Sequence, residues 1–287
     1  MNPWLLGLAG GLLFGGELVR DFERAAARDV RSKLVAESGR EIKVKVTAKT
    51  SLGSAFGNVG SVRIAAGQFT TPGLPLFTEP ERSQKGRLGR LFLDLSDFRL
   101  GELRVESLTA EIPNCRFDFS LAVSKKQFRL SKSGLGTGEV RLRAEDLAAF
   151  ILKKYSEVKT CTVQFAGGKA IVEGDGEFLL LQTKFRVEAR LTPTSPTQLS
   201  LTDATMTFDG RPADDASRQV LLETLNPVVD LDKDLGLLDA MAIESVTAEN
   251  NELTVRGKTK IPLQPAVSPG GTLNVWNRNR EIRLKLR

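Results

Sequence analysis

The stretch EIKVKVTAKT at residues 41–50 decides the fold, because its side chains alternate strictly between apolar and polar. Successive side chains of an extended chain point to opposite faces, so a two-residue period predicts a strand with one buried face. The apolar face carries Ile42 and Val46. The opposite face carries three lysines, Lys43, Lys45 and Lys49.

The same alternation returns along the body of the chain and predicts further strands. They lie at residues 61–66, 90–100, 102–112, 115–123, 139–143, 161–165, 169–174, 177–191, 199–208, 243–249 and 252–261. One-sided alternation joined by short turns favours antiparallel strands over a doubly wound parallel sheet. A phase slip at Glu106–Ser107 suggests a β-bulge, and the run at 177–191 is unusually long for a strand. Both features predict a strongly curved sheet, whereas GLGTG at 134–138 is interpreted as a turn.

Helical periodicity precedes and interrupts the strands. Residues 17–38 carry an apolar stripe at every fourth position, made up of Leu18, Phe22, Ala26, Val30 and Leu34. Off that stripe lie Arg20, Arg24, Arg28 and Arg31, which either remain solvated or face anionic headgroups. Two shorter helices are predicted at 144–158 and 214–227. The fold class is therefore α+β, with a long, strongly curved antiparallel β-sheet around an amphipathic helix and two further short helices.

The two ends of the chain differ from its body. Residues 1–16 contain an uncharged run, PWLLGLAGGLLFGG, which predicts an export signal or membrane anchor; a helix buried in the protein's own core and a misassigned start are alternatives. Residues 17–262 form the predicted single α+β domain. Residues 263–287 form a basic extension predicted as a strand, which carries Arg283, Lys285 and Arg287.

The segment 67–89 is rich in proline and combines apolar with basic residues. Its apolar group comprises Leu74, Leu76 and Phe77. These side chains either tuck into the core or form a loop tip that dips into a membrane within a basic collar.

The chain contains no histidine, which excludes a Ser-His-Asp triad, a Cys-His pair and histidine-based zinc sites. Its two cysteines, Cys115 and Cys161, either pair or remain free thiols. The aspartates of VVDLDKDLG at 228–236 have the spacing of a calcium loop, but the following glycine and acid are missing. We therefore predict no metal, no cofactor and no catalytic residue. A hydrolase that uses only carboxylates remains an alternative.

The carboxy-terminal half resembles the LmeA-like phospholipid-binding family. The resemblance rests on a helix that ends in Asn226-Pro227, a link that bears Asp230, and a closing hairpin with Val246, Leu253 and Gly257. The stretches GEVRLRAEDLAAFI and VQFAGGKAIVEGDG and the amino-terminal helix extend it over about residues 17–262. The resemblance implies a tubular lipid-binding fold, in which a curved antiparallel sheet wraps a long helix. It also implies a bacterial envelope protein that binds phospholipids, and it offers no catalytic residues.

Together these observations predict a non-enzymatic phospholipid-binding protein of the bacterial cell envelope, which is exported or anchored through its apolar amino terminus. The candidates for an acyl-chain groove are Leu91, Leu93, Leu95, Phe117, Phe119, Leu121, Leu179, Leu181, Phe185 and Val187. The candidates for headgroup or membrane contact are Lys43, Lys45, Lys49, Leu74, Leu76, Phe77, Arg283, Lys285 and Arg287. The expected partners are an acyl lipid and a membrane surface; nucleic acid is not expected, because the basic residues are spread over strands. The alternative is a structural or adaptor module of the envelope with a filled core.

Overall fold

A computed structural model describes residues 19–36, 41–50, 57–71, 73, 86–125, 127–178 and 181–262. The predicted amino-terminal segment 1–16 and the carboxy-terminal extension 263–287 lie outside these residues. The helices are α1 (19–31), α2 (Phe119–Ser124), α3 (Ala144–Lys154) and α4 (Asp215–Leu225).

Strands make up most of the described chain. They are β1 (Val35–Ala36), β2 (Lys43–Thr50), β3 (Asn58–Gly67), β4 (Phe69–Thr71), β5 (Gly86–Leu100), β6 (Leu103–Phe117), β7 (Leu130–Lys132), β8 (Gly136–Arg143), β9 (Val158–Ala166), β10 (Lys169–Phe178), β11 (Leu181–Ser195), β12 (Gln198–Phe208), β13 (Arg211–Pro212), β14 (Val229–Asp230), β15 (Met241–Glu249) and β16 (Glu252–Thr259).

The larger sheet has the strand order β1-β4-β5-β6-β8-β16-β15, with β3 joining β2 to β5 and β7 beside β6. Its pairs are antiparallel except that β5 runs parallel to β3 and β4. The smaller sheet is antiparallel, with the order β13-β12-β11-β10-β9 and β14 beside β12. The larger sheet is strongly curled, which confirms the predicted α+β class with a curved, mainly antiparallel sheet.

The predicted phase slip at residues 106–107 is present, but the predicted bulge is wrong. The register between β5 and β6 is continuous, with Phe98 opposite Val105, so neither strand carries an extra residue. Both strands change their buried phase at the same levels instead. Asp97 and Asn114 have φ angles of 47° and 53° at these levels, a conformation that Asp and Asn adopt more readily than most residues. The sheet therefore bends without a change of register.

Residues 118–123 were predicted to continue a strand, and the structure corrects this to a helix. The side chain of Asp118 accepts a hydrogen bond from the backbone N–H of Leu121 at 3.0 Å and caps α2. This cap turns the chain directly after Phe117, so Phe119 and Leu121 lie on α2 and not on the inner face of the sheet. A local hydrogen bond thus overrides an alternating sequence pattern.

Two further local predictions are also corrected. The run 177–191 is not one strand, because β10 ends at Phe178, β11 begins at Leu181, and these two residues pair antiparallel. The glycines at 136 and 138 lie within β8 and not in a turn. A Cβ atom at Gly136 would lie 2.1 Å from the carbonyl oxygen of Glu111, so glycine permits a close approach of β8 to β6.

The buried apolar side chains form one continuous cluster across both sheets. Ala26 and Val30 of α1 are buried against the larger sheet, and Leu147 of α3 is buried between the sheets. The sheets meet near β15, where the backbone N–H of Ile243 donates to the carbonyl of Pro196 at 2.7 Å.

Candidate functional site

An apolar cavity of about 100 Å³ lies between α1 and the inner face of the larger sheet. We call it the larger-sheet cavity. Val30 and Leu34 lie on its helical side, and Leu91, Leu93 and Leu95 of β5 lie on its sheet side. Strands β3, β4, β6, β7, β8, β15 and β16 and the link before β15 contribute the remaining wall. Almost all the exposed wall area is apolar, so the cavity suits hydrocarbon.

The helix α1 is attached to the body by contacts along its length. The Glu23 carboxylate accepts the backbone N–H of Ala48 on β2 at 2.7 Å. Asp29 and Arg129 form a two-pronged ion pair at 2.5 and 3.2 Å, and each side chain is only 14% exposed. Of the predicted inner stripe, Ala26 and Val30 are buried on α1. Leu34 is buried just beyond the helix, which ends at residue 31 and so is shorter than the predicted 17–38. The basic residues Arg20, Arg24, Arg28 and Arg31 are exposed. The helix therefore covers the cavity with its apolar stripe.

The predicted groove residues divide into separate places. Leu91, Leu93 and Leu95 line the larger-sheet cavity. Phe117 and Phe119 form an edge-to-face pair at a centroid distance of 6.4 Å, and Phe117 also contacts Phe128 at 5.7 Å. Neither Phe117, Phe119 nor Leu121 lines the cavity.

The remaining groove candidates belong to the smaller sheet. Phe185 borders a gap of about 20 Å³ between that sheet and helices α3 and α4, and Val187 is fully buried on the same strand. Leu179 and the side chain of Leu181 lie outside the described residues. A gap of this size has room for about one water molecule, so this half of the core is nearly filled.

The headgroup candidates that the structure describes do not border the cavity. Lys43, Lys45 and Lys49 are exposed on β2, and among the described residues none of them forms an ion pair. The other candidates, Leu74, Leu76, Phe77, Arg283, Lys285 and Arg287, lie outside the described residues.

Sequence reasoning missed two charged residues that do border the cavity. Lys260 follows β16, and its ammonium group pairs with the exposed carboxylate of Asp239 at 2.5 Å. Glu139 on β8 accepts hydrogen bonds from Arg141 at 2.8 Å and Arg256 at 2.7 Å. The hydrogen bond from Arg141 is the main reason that the pKa of Glu139 lies below its ordinary value. Burial acts in the opposite direction, and the hydrogen bond from Arg256 adds to the lowering. These two residues are recognised only by their position beside the apolar residues of the cavity wall, because no run of charged residues in the sequence points to them.

One polar side chain in the cavity wall has no partner. The hydroxyl of Thr259, at the end of β16, is buried and makes no hydrogen bond within the part of the chain that the structure describes. Its methyl group lies over Gly138 of β8, where a Cβ atom would come within 2.6 Å of it.

The aspartates of the link at 228–236 have a structural role. The Asp230 carboxylate accepts two backbone amides of the link at 3.0 Å and the side-chain amide of Gln198 at 2.8 Å. The Asp234 carboxylate accepts a hydrogen bond from the ammonium group of Lys154 at 2.6 Å. Burial alone would raise the pKa of Asp230, but the amide of Lys233 and these other donors outweigh burial and lower it. The acids of this link therefore hold the chain together.

Several acids of the described residues have structural partners: on the smaller sheet Glu173 pairs with Arg186, and Asp175 accepts a hydrogen bond from the hydroxyl of Thr160 at 2.8 Å. Neither Asp230 nor Asp234 lines a cavity, and across the described ranges no group of acids and cysteines could hold a metal ion. Cys115 and Cys161 are both free, and burial raises their pKa values to about 12 and about 11. Both thiols are therefore protonated and poorly nucleophilic near neutral pH.

None of the described helices is both long and apolar enough to span a bilayer. Residues 18–258 match the model of a family described as LmeA-like phospholipid-binding. This match confirms the resemblance seen in the sequence. No curated protein and no solved structure matches the chain.

Proposed function

Because the chain belongs to the LmeA-like phospholipid-binding family, we propose that it is a non-enzymatic lipid-binding protein of the bacterial envelope that holds acyl chains in the larger-sheet cavity. The observation that carries the proposal is the cavity itself, an apolar space left between a curled sheet and one amphipathic helix. Leu91, Leu93 and Leu95 contact the acyl chain in this proposal, and Lys260 stands beside the headgroup.

The size of the cavity defines how a lipid enters. Ligand pockets usually measure about 300–1,000 Å³, so a space of about 100 Å³ holds only the first few methylenes of a chain. A longer chain takes the place of Val30 and Leu34, which contribute about 1.5–3 kcal/mol each by burial. A 16-carbon chain gains about 12 kcal/mol relative to water, which exceeds that loss. For a chain that comes from water, the gain therefore offsets the free energy of a partial displacement of α1.

Exchange with a membrane is close to balanced under this proposal. Acyl chains in a bilayer already lie in hydrocarbon, so their transfer into the cavity gains little. In this proposal Val30 and Leu34 keep most of their burial by packing against the bound chain. The polar contacts then decide which lipid is held. Lys43, Lys45 and Lys49 do not border the cavity, so in this proposal they attract the protein to an anionic membrane surface, at about 1 kcal/mol each.

Membrane association is proposed to use the amino-terminal half. The exposed arginines of α1 face anionic headgroups, and residues 1–16 export or anchor the chain. Leu74, Leu76 and Phe77 are proposed as a membrane-dipping tip, with Arg283, Lys285 and Arg287 as additional basic contacts.

Lipid extraction of the purified full chain followed by mass spectrometry tests the proposal, together with uptake of fluorescent phosphatidylglycerol from vesicles. We expect co-purifying phospholipid and saturable uptake. Absence of both would exclude the lipid-holding function. It would favour a structural or adaptor module with a filled core, for which the close packing of the smaller-sheet half is the supporting observation.

A further inference from the structure

The unpartnered hydroxyl of Thr259 is unusual for this molecule. Buried polar side-chain atoms almost always have a hydrogen-bond partner, and one without a partner destabilises a folded protein. Thr259 is only 8% exposed, and within the described ranges its Oγ1 is the one buried side-chain oxygen or nitrogen that lacks a partner. Thr259 belongs to the wall of the larger-sheet cavity, and its hydroxyl oxygen has almost no accessible surface, so a ligand supplies the partner by displacing neighbouring side chains as it enters.

The groups around Thr259 leave it no protein partner. The Glu139 carboxylate receives Arg141 and Arg256, and the Lys260 ammonium group is paired with Asp239. The remaining neighbours in the cavity wall are mainly apolar, including Ile261. A bound molecule that satisfies the hydroxyl therefore combines a hydrocarbon chain with a hydrogen-bond acceptor at its head.

We propose that the Thr259 hydroxyl donates a hydrogen bond to an ester carbonyl oxygen of the lipid whose chain occupies the larger-sheet cavity. This inference rests on the proposed function and adds the protein group that contacts the ester of the bound lipid. The ester carbonyl is the first acceptor above the hydrocarbon of a phospholipid. Lys260 also borders this cavity, so in this proposal the phosphate of the same lipid lies near its ammonium group.

A free carboxylate fits this position less well than an ester. A charged carboxylate beside one hydroxyl in an apolar wall loses most of its hydration, whereas a neutral carbonyl needs only one donor. Ether-linked lipids have the same chains and headgroup but lack the carbonyl, so they isolate the proposed contact.

The experiment compares dihexadecanoyl phosphatidylglycerol with its di-O-hexadecyl ether analogue, each in vesicles with the full chain. We expect the natural protein to bind the ester lipid about fivefold more tightly, the effect of one net hydrogen bond. Thr259→Val keeps the shape but removes the donor, so it should lose this preference without weakening ether binding. Thr259→Ser should retain it. Thr254→Val is the matched control on the same strand, because its hydroxyl bonds to Glu252 outside the cavity.

Each other outcome has a separate meaning. Equal binding of ester and ether by the natural protein, or an ester preference that survives in Thr259→Val, would overturn the Thr259 contact but leave lipid binding intact. No binding of either lipid would overturn the proposed function and this contact with it. A marked fall in the melting temperature of lipid-free Thr259→Val would show that the hydroxyl has a partner in the protein, which also overturns the inference.

Discussion

Filling the larger-sheet cavity should separate lipid binding from folding. Ala110 lies on β6 in the cavity wall and is buried. The substitution Ala110→Leu adds three carbon atoms, which occupy about 90 Å³ if each takes about the 30 Å³ of a water molecule. The cavity measures about 100 Å³, so the new side chain uses nearly all of it.

The effects on stability and on binding should have opposite signs. Filling an apolar cavity recovers up to about 24 cal/mol per Å³, which gives at most about 2 kcal/mol of added stability before strain is subtracted. The melting temperature should therefore stay unchanged or rise by up to about 5 °C. The same side chain excludes about three methylenes of the ligand at about 0.8 kcal/mol each, so lipid affinity should fall by about 50-fold.

Fluorescent-lipid uptake from vesicles and thermal melts measure the two effects on the same samples. The matched control is Ala170→Leu, which places the same added carbons beside the gap of about 20 Å³ in the smaller-sheet half. That variant should lose about 1–3 kcal/mol of stability by overpacking. Lipid uptake per folded molecule should remain normal, since Ala170 does not border the larger-sheet cavity.

Two results would refute this reasoning. Normal lipid uptake by Ala110→Leu would mean that acyl chains bind elsewhere. An equal loss of stability in Ala110→Leu and Ala170→Leu would mean that the space beside Ala110 is not available to a side chain.

Three further predictions concern the frame around the cavity. Asp29→Asn breaks the half-buried ion pair that holds α1, so the melting temperature should fall by about 5 °C and lipid exchange should become faster. The control Asp21→Asn breaks an exposed pair and should change neither. Equal effects of the two substitutions would contradict this role of Asp29. Since folding lowers the pKa of Asp230, its contribution is present above about pH 4 and is lost as the pH falls through the folded pKa. Thermal melts of Asp230→Asn should show lower stability at pH 7 but a shallower loss between pH 5 and pH 3, and parallel curves would count against it. Gly257→Ala places a Cβ atom 2.0 Å from a carbonyl oxygen of β15, so urea unfolding should show a loss of about 3 kcal/mol in the free energy of unfolding. The control Gly168→Ala has open space but a φ of +73° and should lose about 1 kcal/mol. The reverse ranking would be inconsistent with the close approach of β16 to β15.

The sequence predicts the elements well and the division of the interior poorly. Alternation locates the curved sheet, and the four-residue stripe identifies Ala26 and Val30 as the inner face of α1. Alternation cannot distinguish Leu93 from Phe185, because both lie on inward positions of strands. The difference comes from the partner elements: the smaller sheet is covered by α3 and α4, whereas α1 lies across the inner face of the larger sheet. Which face stays incompletely filled depends on tertiary packing, which a strand's own pattern does not record.

Three residues that carry the family resemblance in the carboxy-terminal part, Asn226, Asp230 and Gly257, hold the frame and do not line the cavity. Asn226 binds both the backbone N–H and the carbonyl of Leu201, at 2.8 and 3.0 Å, and Asp230 fixes the link that follows. Gly257 permits the close approach of β16 to β15. These roles need particular side chains, because each depends on a hydrogen bond or on the absence of a Cβ atom. The cavity wall needs only apolar atoms of suitable volume, which several residue types can supply. A sequence pattern can therefore identify the family without locating its ligand. In the cavity wall, the unpartnered hydroxyl of Thr259 is the specific polar group on which our further inference rests.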